Sequence, residues 1–360
     1  MIIHLVCAAR PNFMKIAPLY HALKKERWAT LVIVHTGQHY DLNMSDAFFE
    51  DFGLPKPDIY LGIGSGTHAE QTGRVMIVYE KILYDQRPDL VVVVGDVNST
   101  MACTLAAVKL GIKVAHVEAG LRSFDRTMPE EINRLVTDAL SDLLFTPSED
   151  ADDNLLREGI PAVKIKRVGN IMIDTLVAHL ERARGCKSYD KFGLKEKGYV
   201  FVTLHRPSNV DDKASLYSVM KCLAQLSKRL PVIFPLHPRT RKKLIEFGFW
   251  KESTNSNKLI LSEPLGYHDT IGLVDKSRFV LTDSGGVQEE TTFLKIPCLT
   301  LRPNTERPVT IKLGTNELTS LETLTDDIAY VLNGYCRLGQ IPELWDGKTA
   351  ERIVEILGKL

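Results

Sequence analysis

Residues 89–119 read "DLVVVVGDVNSTMACTLAAVKLGIKVAHVEA". Two almost unbroken apolar runs, "DLVVVVGD" and "KVAHVEA", flank "STMACTLAAVKLG", whose small and apolar residues recur at helical spacing. A strand without polar alternation is covered on both faces, and a strand–helix–strand unit of this length is a parallel pair joined by a right-handed crossover. The alternation extends outward from there. "IIHLVCAA", "LVIVHTG" and "LLFTPS" are further buried strands of the first half, and "YVFVTLH", "LPVIFPLH", "KLILSEP", "RFVLTDS" and "PCLTLR" those of the second. Between the halves, "IMIDTLVAHLERARG" predicts one helix and "CKSYDKFGLKEKGY" a polar, turn-rich linker. The expected class is α/β, with two Rossmann-like, doubly wound domains facing a central cleft. The expected boundaries are 1–170 for the first domain, 171–197 for the connecting helix and linker, and 198–345 for the second. A last helix within 346–360 is expected to pack back on the first domain.

Composition bounds the function. Lys+Arg and Asp+Glu are 45 each in 360 residues, so no global charge draws in nucleic acid, and an anion must be gripped locally. The six cysteines are scattered without a CxxC pair and read as reduced thiols. The N-terminal "MIIHLVCAARPN" reads as a core strand rather than a signal peptide, and no run is long enough for a membrane span. A cytoplasmic protein is expected.

Ligands of open parallel sheets bind beyond the carboxyl ends of the strands. Polar residues collect at those positions here. In the first half they are Arg10, then Gln38, His39 and Asp41, then Asp96 and Asn98, and Glu118. In the second they are His205, Arg206, His237, Glu263, Asp283 and Ser284. After the strand of "RFVLTDSGGVQEETTFLKIP", Gly285 and Gly286 open a helix whose first N–H groups suit a phosphate, or else Ser284 or Asp283 simply caps it. Glu290, one turn in, is placed for a ribose hydroxyl pair. In "ARPNFMKIAP", Arg10 and Lys15 are spaced to meet one diphosphate, and Arg302 and Arg307 in "LRPNTERP" add cationic charge near the glycine turn. His35 and His39 flank a strand end instead of riding a helix, so no metal site is expected. "GSGTHAEQTG" lacks the Lys-Ser/Thr of a P-loop, and GxGxxG is absent.

The stretch "HVEAGLRSFDRTMPEEINR", 116–134, holds the densest charge. Thr127 and Glu130 have capping-box spacing and Pro129 suits a first turn, which leaves Glu131 free for chemistry. Asp125, Arg122 and Arg126 are expected to pair with one another. Glu118 and Asp96 end adjacent buried strands, and three carboxylates converging there are expected to raise one another's pKa values for acid–base work.

"ARPNFMKIAPL", "HTGQHYD", "GDVNST", the 116–134 stretch, "TLHRPSNVD", "LTDSGGVQEE" and "TERP" together resemble the UDP-N-acetylglucosamine 2-epimerases over essentially the whole chain. The resemblance implies the glycosyltransferase-B architecture and interconversion of UDP-GlcNAc and UDP-ManNAc without NAD or metal. It implies elimination of UDP to a 2-acetamidoglucal, then re-addition. It makes Asp96, Glu118 and Glu131 the acid–base carboxylates and His205 the group assisting the diphosphate. It makes Arg10, Lys15, Ser284, Gly285 and Gly286 phosphate ligands, Glu290 the ribose ligand and Arg307 a further nucleotide-site arginine. A homodimer serving surface polysaccharide synthesis is implied as well. Asn12, Val97 and "LHRPSN" depart from common family forms, and "QHYD" lacks the pattern of members activated by a second UDP-GlcNAc. A hydrolysing 2-epimerase and a 2-epimerase of a 2,3-diacetamido uronate share these motifs. A glycosyltransferase or a nucleotide-sugar sensor has less use for three clustered carboxylates.

Overall fold

The computed structural model describes residues 1–37, 49–250 and 258–360, without the side chain of Arg10. Gln38, His39 and Asp41, and with them the "QHYD" segment, lie outside the described residues. The chain divides into two compact units, Met1–Thr175 with Glu343–Leu360, and Leu176–Pro342.

The first unit is built on a seven-stranded sheet ordered β3-β2-β1-β4-β5-β6-β7. Its strands are β1 (Ile2–Cys7), β2 (Thr30–His35), β3 (Ile59–Tyr60), β4 (Leu90–Val94), β5 (Lys113–Val117), β6 (Leu143–Thr146) and β7 (Ile165–Arg167). Every pairing is parallel. All of "LVVVV" in β4 is buried, as a β-branched strand covered on both faces should be. The small Ala102, Cys103, Ala106 and Ala107 of the Asn98–Lys109 helix let it pack closely against that sheet's core.

The second unit holds β8 (Val200–Thr203), β9 (Val232–Pro235), β10 (Leu259–Ser262), β11 (Phe279–Thr282), β12 (Cys298–Leu301) and β13 (Asn316–Thr319). They form a six-stranded parallel sheet ordered β10-β9-β8-β11-β12-β13. Alternate residues feed two cores: Val200, Val202, Phe279 and Leu281 join one cluster, while Tyr199, Phe201 and Val280 join the other. This alternation is what helices on both faces require.

Three strands, β3, β7 and β13, go beyond the sequence reading. Each lies at a sheet edge; β3 and β7 have only two and three residues, and β13 is the polar "NELT", so none shows an apolar run. The Thr349–Leu357 helix belongs to the first unit and packs against the Arg10–Leu23 helix. Its N-terminus is satisfied by Asp174, which accepts from Thr349 N at 3.0 Å and Ala350 N at 2.7 Å.

Candidate active site

In each sheet the strand order reverses once, between β1 and β4 and between β8 and β11. Chains leaving two such strands diverge to opposite faces and open a crevice at their carboxyl ends. Asp96 follows β4 and Glu118 follows its neighbour β5; His205 follows β8 and Asp283 follows β11.

In the first unit, Asn12 ties the two sides of the reversal together. Its Oδ1 accepts from Ala8 N (3.2 Å) and Ala9 N (3.1 Å), and its Nδ2 donates to Val94 O (3.0 Å). Lys15, one turn into the Arg10–Leu23 helix, is buried and ion-paired with Glu118. Both close on Gly95, which has φ +67°; a Cβ there would sit 2.8 Å from Lys15 Nζ and 3.4 Å from Glu118 Oε2. Glu118 itself has φ +76°, a left-handed conformation that costs a non-glycine residue energy and recurs at functional sites. Phe145 O holds that turn by accepting from both Glu118 N and Ala119 N at 3.1 Å.

The reading of 116–134 needs three corrections. No capping box forms: Asp125 takes the Thr127 N–H (3.0 Å) and hydroxyl (2.6 Å), and the helix starts at Pro129 with Met128 as N-cap. Arg122 does not pair with Asp125; it bonds Asp138 and Glu158. Glu131 is not free. Buried, it accepts from Ser123 N (3.0 Å), Ser123 Oγ (3.1 Å), Phe124 N (2.9 Å) and Arg134 Nη2 (2.6 Å). Burial pushes its pKa up, but the Ser123 N–H, the Arg134 charge and the Phe124 N–H outweigh it, so the carboxyl lies below its ordinary value. The expected mutual raising of carboxylate pKa values fails at Glu131 because Arg134 stands between the acids, also bonding Asp96 at 2.5 Å.

In the second unit, Asp283 is an organiser. Wholly buried, it accepts from His205 N (3.0 Å), Arg206 N (2.8 Å) and Asn209 Nδ2 (3.0 Å), and its Oδ1 is 3.0 Å from His205 Nδ1. Burial alone would raise its pKa; the hydrogen bond and charge of His205 and the Arg206 N–H hold it below the usual value. His205 is thereby oriented with Nε2 away from Asp283, on a side chain 38% exposed. Ser284 is the N-cap of the Gly285–Leu294 helix, yet no side chain caps it, which leaves the first amides open to an anion.

Arg302, Glu306, Arg307 and Glu289 form a buried row of alternating charge behind that turn. A Cβ on Gly285 would lie 2.5 Å from Arg307 Nη1, so glycine is what lets this row approach. The two arginines are therefore neutralised locally and add less cationic charge to the turn than their sequence positions imply. Glu290 is buried against the Tyr267 hydroxyl, whose pKa is raised by burial, then by the charge and hydrogen bond of Glu290. His237 caps the Pro238–Glu246 helix and Glu263 pairs with Arg241.

Sequence reasoning did not single out Arg134, Asn12 as a clip, or the His116–Asp138 pair. Arg134 was within reach, since it follows Glu131 at the i,i+3 spacing of helical ion pairs. The arrangement supplies paired carboxylates beside cations in one unit, and a helix N-terminus with an oriented imidazole in the other. Those are the parts for moving a proton and for steadying an anionic leaving group.

A family model described as UDP-N-acetylglucosamine 2-epimerase matches residues 21–358. The chain is 44% identical over 366 residues to the UDP-N-acetylglucosamine 2-epimerase of Methanocaldococcus jannaschii, covering 99% of each. It is 40% identical over 373 residues to the UDP-2,3-diacetamido-2,3-dideoxy-D-glucuronate 2-epimerase of Pseudomonas aeruginosa, covering 99% of each. The crystal structure of the Methanocaldococcus jannaschii enzyme in complex with UDP-GlcNAc and UDP matches with a TM-score of 0.90 at 43% identity, covering 100% of both chains.

Proposed function

We propose, for a chain that belongs to the UDP-N-acetylglucosamine 2-epimerase family, that it inverts C2 of UDP-N-acetylglucosamine by eliminating and re-adding UDP. The observation that carries this reading is the pairing of Glu118 with Lys15, and of Asp96 with Arg134, at the strand ends where the first sheet reverses. The reading assigns the proton transfers at C2 to the first unit and the nucleotide to the second.

The C2–H bond breaks and its proton goes to one carboxylate, while the C1–O bond to the diphosphate breaks and leaves 2-acetamidoglucal and UDP. A proton then returns to the opposite face of C2, and a diphosphate oxygen re-forms the bond to C1. A C2 proton is weakly acidic, so departure must be assisted by groups placed where charge develops. His205, the Ser284 hydroxyl and the amides of Gly285 and Gly286 do this, Glu290 holds the ribose, Arg307 backs the turn, and Arg10 is a further phosphate ligand. Asp96 and Glu118 exchange the protons. Glu131, with its oxygens already occupied, holds Arg134 and the Ser123–Phe124 backbone in place.

A second reading, action on a UDP-2,3-diacetamido uronate, is supported by the 40% identity to the Pseudomonas aeruginosa enzyme. A cytoplasmic, homodimeric enzyme fits the family premise, and sedimentation would check the dimer. Among the described residues no helix is long and apolar enough to cross a membrane.

Incubation with UDP-N-acetylglucosamine in D2O tests the reading. The expected products are two UDP-sugars carrying deuterium at C2. Free N-acetylmannosamine in place of the second UDP-sugar would mean hydrolysis. Exchange only with the diacetamido uronate substrate would select the second reading, and no exchange with either would refute both.

A further inference from the structure

His116 lies in β5, two residues before Glu118, and its ring is wholly buried. Nδ1 is 2.6 Å from Asp138 Oδ1, and Nε2 is 2.8 Å from the carbonyl oxygen of Gly95. A carbonyl has no proton to give, so Nε2 carries one and donates it. Asp138 also accepts from Gly120 N at 3.0 Å and pairs with Arg122 at 2.7 Å. Although burial raises its pKa, the charges and hydrogen bonds of His116 and Arg122 bring it below the ordinary carboxylate value, so Asp138 is ionised. An ionised carboxylate only accepts, so the 2.6 Å contact at Nδ1 calls for a donor there as well. The row is charge-balanced: Asp138 stands between His116 and Arg122, and Arg122 reaches Glu158 at 2.8 and 2.7 Å.

The ends of this row coincide with the chemistry. Gly95 immediately precedes Asp96, His116 shares a strand end with Glu118, and Asp138 rides the Pro129–Leu140 helix with Glu131 and Arg134. Three backbone elements, each bearing one of the acids, are thus joined through one imidazole. We infer that His116 and Asp138 form a positioning dyad for the epimerisation, which holds the Gly95 carbonyl and thereby sets Asp96 and Glu118 at their working separation. Beside an ionised Asp138, only a ring that donates from both nitrogens serves both partners. The Lys15–Glu118 pair sits close against this turn, with Lys15 Nζ 2.8 Å from where a Gly95 Cβ would be. A rotation of the Gly95 peptide is therefore felt by the Lys15–Glu118 pair.

The inference rests on the epimerase reading, so the wild-type exchange of deuterium into C2 is measured first; its failure would refute that reading whatever the variants do. Asp138→Asn and His116→Gln are then compared with wild type for kcat, KM and UDP affinity, and the wild-type His116 ring is observed by 15N NMR at pH 7. The expected result is a kcat lower by about 100-fold, the scale of a 1 Å misplacement. UDP affinity should be unchanged, and both ring nitrogens should resonate as imidazolium. Wild-type kcat in a folded Asp138→Asn protein would overturn the inference, as would equal losses of kcat and UDP affinity. If neither variant folds, the wild-type spectrum decides: a neutral-ring signature overturns the dyad and an imidazolium signature upholds it.

Discussion

Replacing Glu131 by glutamine separates a carboxylate held for structure from one kept open for proton transfer. The change is nearly isosteric, so an unbonded acid should tolerate it within about 0.5 kcal/mol. In this protein Oε2 accepts from Ser123 N, Ser123 Oγ and Arg134, and Oε1 accepts from Phe124 N. The least harmful amide orientation keeps the oxygen at Oε2 and turns its NH2 toward the Phe124 N–H. That strands one donor, at about 1–3 kcal/mol. The remaining bonds also lose their charge assistance, and a half-broken buried ion pair costs about 3–5 kcal/mol. Phe124 adds roughly 1 kcal/mol of left-handed strain at φ +59°, which Glu131 holds in check. The low end of these terms gives a total of about 5 kcal/mol, or about a 1.7 M fall in the urea midpoint for a slope of about 3 kcal/mol/M. Hydrogen exchange at Ser123 and Phe124 should quicken by about 100-fold. The effect has a pH sign. The folded-state pKa of Glu131 is lowered from 4.5, so its stabilisation is present above that value and is lost as pH falls through the folded-state value. The gap between wild type and Glu131→Gln should therefore close in acid. A midpoint shift of about 0.2 M or less at pH 7, with unchanged exchange at the two amides, would refute the anchoring role.

Gly95→Ala must adopt φ +67° and places a Cβ 2.8 Å from Lys15 Nζ. It should lower Tm by only about 2–4 °C but kcat by about 10-fold or more, as calorimetry and steady-state rates would show. Gly285→Ala brings a Cβ to 2.5 Å from Arg307 Nη1 and should weaken UDP binding by about 10-fold or more in isothermal titration. Asp283→Asn should cost about 3 kcal/mol at pH 7 by urea unfolding. Because the folded pKa of Asp283 is lowered from 3.8, its contribution is present above that value and lost as pH falls through the folded one. The variant should accordingly lose less stability than wild type on acidification.

Much of the frame was legible because buried parallel strands are written as unbroken apolar runs, as "LVVVV" of β4 is. The rule that ligands gather at strand ends then pointed to Asp96, Glu118, His205 and Asp283 without side-chain geometry. What escaped depended on where backbone amides point. Thr127 and Glu130 have the spacing of a capping box, but Asp125 claims Thr127 first, a local competition that spacing does not register. Glu131 looked available because the N–H groups of Ser123 and Phe124 that fill its oxygens are aimed by the left-handed turn at Phe124, which residue spacing does not show. Asp283 was placed at a strand end, with a helix cap as the alternative, but spacing did not show that its carboxylate's partners lie 74 to 78 residues earlier in the chain. His116 and Asp138 stand 22 residues apart on a strand and a helix, and only the packing of one on the other joins them.

The return of residues 343–360 to the first unit, where Asp174 receives the amides of Thr349 and Ala350, makes the second unit an insertion within the first. Its sequence is one uninterrupted piece, whereas the first unit is completed only when residues 343–360 have left the ribosome. A nonsense codon that removed residues 343–360 would thus damage the lobe built from residues 1–175 and leave the inserted one whole.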